Sequence, residues 1–145
     1  MERLRAHLSA QCTTDSLGRR VIGAAMTVHR ILGCGFLETV YRNALAIQLR
    51  KQGIPFELHP TLTVKYEGEE IGSYQADLII EGRLIVELKA VEALAPVHAS
   101  QLINYLTATG LDEGLLLNFG AKSLQFRTKT KNAPSRARID SQLLP

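Results

Sequence analysis

Apolar residues recur along this chain first at helical spacing and then, past Pro55, in short strand-like runs. From about Asp15 to Leu32, Val21, Ala24, Ala25, Val28 and Leu32 form a wide apolar stripe of helical period. Gly33-Cys34-Gly35 ends that helix, since glycine accepts a left-handed cap without strain. A second helix is predicted over about Phe36 to Gln52, with Leu37, Val40, Tyr41, Ala44, Leu45 and Leu49 on its buried side and Gly53 at its end. Phe56 to Leu58 and Thr61 to Tyr66 then read as strands, Glu67-Gly68-Glu69-Glu70 as a turn, and Ile71 as the approach to a hairpin. The hairpin strands are Gln75–Ile80 and Arg83–Lys89, joined by a tight turn at Glu81-Gly82. A third helix is predicted from Pro96 to Thr109, with proline near its first position. Leu111 to Asn118 reads as a buried strand and Leu124 to Thr130 as an edge strand. The order αα, strands, α, two strands predicts an α/β protein, a mixed sheet with helices on both faces. The helix between the Lys89 and Leu115 strands permits a parallel crossover there.

The central hairpin carries the candidate chemistry. Its strands are almost wholly apolar, as strands covered on both faces are, yet they contain Asp77, Glu87 and Lys89. A charge buried in a strand is costly unless it is paired or holds a metal. Glu87 and Lys89 are two apart and share a face. Two carboxylates beside an ammonium suit a hard divalent cation; the bland alternative is a same-face Glu87–Lys89 ion pair. Geometry sets a condition. A regular two-residue turn would place Asp77 opposite Val86 and turn it away from Glu87. A shared site therefore requires one extra residue, as a three-residue turn or a bulge between Ile80 and Glu87, with Gly82 its natural place.

Other polar positions are weaker signals. Glu38 lies one turn before Tyr41 and four residues before Arg42, so it is a candidate third carboxylate or half of a helical surface pair. His98, Gln101 and Tyr105 lie along one stripe of the third helix, whose first turns follow the strand ending at Lys89. His29, near a helix C-terminus, reads as a capping or packing histidine.

Composition adds bounds. The chain has 145 residues, 46% of them apolar, and a net charge of +3, which suits one soluble domain. No run is apolar enough to span a membrane, and the N-terminus lacks the apolar core of a signal peptide. Cys12 and Cys34 have no metal or redox spacing and read as reduced, cytoplasmic thiols. Between Gly114 and Ile139 lie six basic residues and no acid: Lys122, Arg127, Lys129, Lys131, Arg136 and Arg138. Between Glu57 and Glu92 there are eight acids. An acidic centre beside a basic flank suits a protein that binds metal and polyanion together. The domain is assigned to residues 15–130, after a loose lead-in over 1–14 and before a basic tail over 131–145.

Gly35-Phe-Leu-Glu38-Thr-Val-Tyr41 has the G-x-x-E-x-x-Y pattern of the GxxExxY family. With His29, the Asp77/Glu87-x-Lys89 hairpin and His98-x-x-Gln101-x-x-x-Tyr105, the chain resembles that family over residues 17 to 130. The family is similar to the PD-(D/E)XK nucleases, and Gln101-x-x-x-Tyr105 resembles the motif of RecB-like exonucleases. Ala76 stands where the superfamily name has proline. The resemblance implies a restriction-endonuclease-like fold and a Mg²⁺-dependent nuclease in which Mn²⁺ can substitute. Asp77, Glu87, Lys89 and Gln101 would be catalytic. Glu38, Asp77, Glu87 and the Leu88 carbonyl would hold metal. His98, Tyr105, Tyr41, Lys122, Arg127 and Lys129 would contact nucleic acid, DNA ahead of RNA, and a second copy of the chain is a candidate partner. The alternatives are a catalytically silent nucleic-acid-binding module and an interaction or small-molecule hydrolase scaffold on the same fold.

Overall fold

The computed structural model describes residues 13–131. Most of the expected lead-in and tail, with Cys12, Arg136 and Arg138, therefore lies outside the described residues. Two helices, α1 (Thr13–Leu32) and α2 (Glu38–Lys51), come first. Strands β1 (Phe56–Leu58), β2 (Thr61–Tyr66), β3 (Glu69–Gln75), β4 (Leu78–Ile80) and β5 (Leu84–Lys89) follow. Helix α3 (Pro96–Thr109) crosses to β6 (Glu113–Asn118), and β7 (Gln125–Thr130) closes the order. The main sheet runs β1-β4-β5-β6-β7, and only β5 and β6 are parallel. That is the mixed α/β sheet expected from the sequence. Among the described residues, no helix is long and apolar enough to cross a membrane.

Strict alternation along β4 and β5 divides the core in two. Leu78, Ile80, Leu84, Val86 and Leu88 pack with α1 and α2 through Val21, Ala25, Tyr41, Leu45 and Leu49. Ile79 and Ile85 point the other way and pack with Leu102 and Leu106 of α3. Each such aliphatic side chain contributes roughly 1.5–3 kcal/mol on burial.

The approach to the hairpin differs from the sequence reading. Ile71 belongs to β3, which pairs with β2 in a separate two-stranded ladder. From Phe56 to Ile80 the chain is one long hairpin, bent in the middle. Thr61↔Gln75 continues the register of Leu58↔Leu78, and the bend between them is bridged by His59 N donating to Asp77 O and Ala76 N to Pro60 O. His59, before Pro60, takes a left-handed φ of 53° at the bend. Asp77 sits at this corner, where the backbone leaves the flat ladder.

Candidate active site

The turn between β4 and β5 meets the geometric condition. Glu81 and Gly82 both have positive φ, 51° and 68°, and Arg83 N donates to Ile80 O at 3.0 Å. The ladder resumes at Ile80↔Leu84, so three residues lie in the turn and Arg83 is the extra one. Leu78 consequently pairs with Val86, and one step further Asp77 stands opposite Glu87 on the α3 face. The strand ladder has ended there, and the Asp77 side chain replaces it: Leu88 N donates to Asp77 Oδ2 at 2.8 Å. The N–H and C=O of a strand residue point to the same side, so the Leu88 carbonyl faces this same corner.

The pair is electrostatically frustrated. Burial, and then the negative charge of Asp77, push the Glu87 carboxyl from 4.5 up to about 8, against the opposing pull of Lys89. Glu87 Oε1 is buried and has no hydrogen-bond partner. Among the described residues, Glu87 and Lys89 do not form an ion pair; the ion pairs are Arg42–Asp77 and Arg83–Glu81. Arg42 Nη1 lies 3.6 Å from Asp77 Oδ1. The Glu38–Arg42 helical pair considered from spacing is therefore not formed.

Helix α3 and the β2–β3 ladder, an arm beside the main sheet, close the α3 face of the site. Tyr105 stacks on Tyr74 of β3, with ring centroids 3.5 Å apart and planes 16° off parallel. Burial and then the charge of Glu87 raise the pKa of both hydroxyls, while a hydrogen bond from Gln101 opposes the shift in Tyr105. The Tyr74 hydroxyl is buried without a partner. Gln101 is exposed beside the pair, and Lys89 is half-buried.

Three expected site residues are placed differently. Tyr41 is fully buried and its hydroxyl is committed: it donates to Gly33 O at 2.6 Å and accepts from Phe36 N at 3.2 Å. Its ring stacks on Phe119 at 4.6 Å. It clamps the α1–α2 turn and has no surface to offer a substrate. His98 is drawn into a helix cap: Ala95 N donates to His98 Nδ1 at 3.1 Å, because the first turn of α3 has backbone N–H groups to satisfy. Glu38 is exposed on the first turn of α2. Among the described residues no three acids, histidines or cysteines gather as a metal-holding group, so Glu38 does not join Asp77 and Glu87. Arg42, one turn further into the helix, is the residue that reaches Asp77. His29 is a packing histidine as expected, with Nε2 2.8 Å from Ala121 O. Lys122 is exposed in the loop after β6, and Arg127 and Lys129 lie on edge strand β7, separated from β5 by β6.

Sequence reasoning passed over Tyr74, the role of Arg42, and a brace behind Lys89. The Asn118 amide, fully buried, accepts from Val91 N (3.0 Å) and donates to Val91 O (2.9 Å), as a strand backbone would. It also donates to Gln125 Oε1, which in turn accepts from Leu94 N. A Cβ on Gly120 would lie 2.3 Å from Val91 O, so only glycine lets this loop approach. Asn118 pairs with Lys89 across β5–β6, and this brace therefore fixes the chain as it leaves the site.

Two carboxylates on one face, one carboxylate oxygen without a partner, and a backbone carbonyl turned to the same corner form an oxygen donor set of the kind hard divalent cations take. Among solved structures, the chain is similar to the crystal structure of SSO0001, with a TM-score of 0.50 and 17% identity over 73% of this chain. It spans 55% of that structure's length. It is also similar to an alkaline exonuclease (LHK-Exo) from Laribacter hongkongensis, with a TM-score of 0.51 and 10% identity, covering 83% of this chain and 73% of the other. Both likenesses are at the level of the fold. No curated protein matches the sequence. The family model of the PD-(D/E)XK nuclease superfamily matches residues 15–131, nearly the whole described chain: the chain belongs to the PD-(D/E)XK nuclease superfamily.

Proposed function

We propose that this chain is a divalent-cation-dependent nuclease that hydrolyses phosphodiester bonds, in DNA rather than RNA. The observation that carries the reading is the convergence of Asp77 and Glu87 on one face, with Glu87 Oε1 buried and unpartnered. An isolated buried carboxylate is costly, and a cation held there would remove that cost. Asp77, Glu87 and the Leu88 carbonyl would hold Mg²⁺ or Mn²⁺. A bound cation supplies charge to polarise the scissile phosphate and to acidify the attacking water. Lys89, on the same face as Glu87, would orient that water and offset charge developing on the phosphate. Gln101 is exposed one turn before Tyr105 on the same helix, and the stacked Tyr105–Tyr74 pair offers an aromatic surface beside the carboxylates, suited to a nucleotide base. Lys122, Arg127 and Lys129 supply positive charge for backbone phosphates outside the centre. The G-x-x-E-x-x-Y heptad and the Gln101-x-x-x-Tyr105 spacing agree with this reading at the level of family resemblance.

The test is a cleavage screen on single-stranded, double-stranded and nicked DNA and on RNA, with Mg²⁺, Mn²⁺ or EDTA. Cleavage is expected with either cation and none with EDTA. Lys89→Ala should lose about 10²–10³-fold in rate while still binding Mn²⁺. Binding of every substrate with cleavage of none would instead establish a silent nucleic-acid-binding module.

A further inference from the structure

The Asp77 carboxylate is shared unequally by two donors from different parts of the fold. Oδ2 is held at hydrogen-bond distance by Leu88 N. Oδ1 faces Arg42 Nη1 at 3.6 Å, a charge contact too long for a hydrogen bond. Both side chains are largely withdrawn from water, at 17% and 15% exposure, so the attraction is not screened as a surface pair would be. Yet the guanidinium is not at rest there. Its Nε is buried without a partner, and a guanidinium satisfies its planar fork of donors best against a carboxylate or phosphate met edge-on. Arg42 thus occupies the place of a counter-cation beside Asp77 without the bonds that would anchor it.

Resting on the metal-dependent nuclease reading, we infer that Arg42 is a positioning residue that exchanges Asp77 for the substrate phosphate and so couples cation binding to nucleic-acid binding. With no cation present, Arg42 offsets the charge of Asp77 beside Glu87. A divalent cation on Asp77 repels the guanidinium and takes over its partner. The freed fork is then available to a phosphate oxygen of the substrate. By linkage the reverse holds equally: a phosphate that draws Arg42 away leaves Asp77 free for the cation. Two effects of removing Arg42 on cation affinity oppose one another, lost orientation of Asp77 and lost like-charge repulsion. Leu88 N still orients the carboxylate, so the loss of repulsion wins.

The experiment measures Mn²⁺ binding from the loss of the free-ion electron paramagnetic resonance signal. It uses the full chain and Arg42→Gln, each with and without a single-stranded phosphorothioate oligonucleotide, against an oligonucleotide-only control. Wild type should bind Mn²⁺ at least fivefold more tightly with the oligonucleotide. Arg42→Gln should bind Mn²⁺ at least fivefold more tightly than wild type without oligonucleotide and gain little from adding it. Arg42→Met, which keeps the apolar stem, serves the same comparison if the glutamine variant does not fold. Unchanged or weaker Mn²⁺ binding in the neutral variants, or an undiminished oligonucleotide effect, overturns the inference while leaving the nuclease reading intact. Absence of Mn²⁺ binding in wild type overturns both.

Discussion

The two ends of the paired residues Lys89 and Asn118 lie side by side in the sheet, and their surroundings are opposites. Around Asn118 the buried polar groups described above are matched: its amide meets both backbone groups of Val91, and Gln125 meets Leu94 N and Asn118 itself. Tyr41 and His29, on the α1–α2 side, are likewise satisfied. Around Glu87, one strand away, Glu87 Oε1, Tyr74 OH and Arg42 Nε are buried without partners. Buried polar atoms are nearly always bonded in folded proteins. Three exceptions among the described residues cluster around one corner, and on the nuclease reading proposed above they are bonding capacity kept for cation and substrate. The satisfied side holds the fold; the unsatisfied side is available for chemistry.

The sharpest way to break this contrast is to neutralise the acidic pair. Glu87→Gln and Asp77→Asn should each lower single-turnover cleavage by about 10³-fold, yet the metal-free melting temperature of Glu87→Gln should hold or rise, since the cost of burying or protonating that carboxyl on folding is removed. A large loss of metal-free stability in Glu87→Gln would make the residue structural. On the satisfied side the pattern should reverse. Asn118→Ala should cost roughly 2–4 kcal/mol in urea unfolding, because it strands both Val91 backbone groups and Gly120 N. Gly120→Ala should cost about 1–3 kcal/mol, because Val91 must move.

The next effect is on pH dependence. Glu87 titrates at about 8 in the native state against an ordinary 4.5. Between those values the unfolded chain has released its proton while the native chain keeps it. Metal-free stability should therefore be full below about pH 4.5, fall as pH rises toward 8, and level off above. Melting curves at fixed salt should show this slope in wild type and a flatter one in Glu87→Gln; equal slopes would mean Glu87 is not the frustrated group. The smallest effect is expected from Tyr41→Phe. It strands Gly33 O and Phe36 N, and should cost about 1 kcal/mol with cleavage rates within about twofold of wild type. A Tyr41→Phe variant that is stable but inactive would return Tyr41 to the site.

Much of this was legible in the sequence because it is local. Apolar spacing of three and four sets the helices, and apolar runs set β5 and β6, since each period matches its own backbone geometry. Asp77, Glu87 and Lys89 stand out because charges in apolar strands are costly, and the extra turn residue followed from requiring both acids on one face. Which residues meet across the fold is not written in any local period. Arg42 and Glu38 share a face of α2, and only the packing of α2 against β5 decides that the arginine reaches Asp77. Tyr41 fits the family heptad equally well as a site or a core residue, until Gly33, Phe36 and Phe119 enclose it. Tyr74 lies three residues before Asp77, on an arm the sequence does not distinguish from the hairpin. It joins the site because the bend at His59–Pro60 turns β2 and β3 toward α3, where Tyr105 stacks on it. Local sequence determined the elements and the charged groups they carry. Tertiary structure decided which of those groups found partners, because partnership depends on distances set by chain segments far apart in sequence.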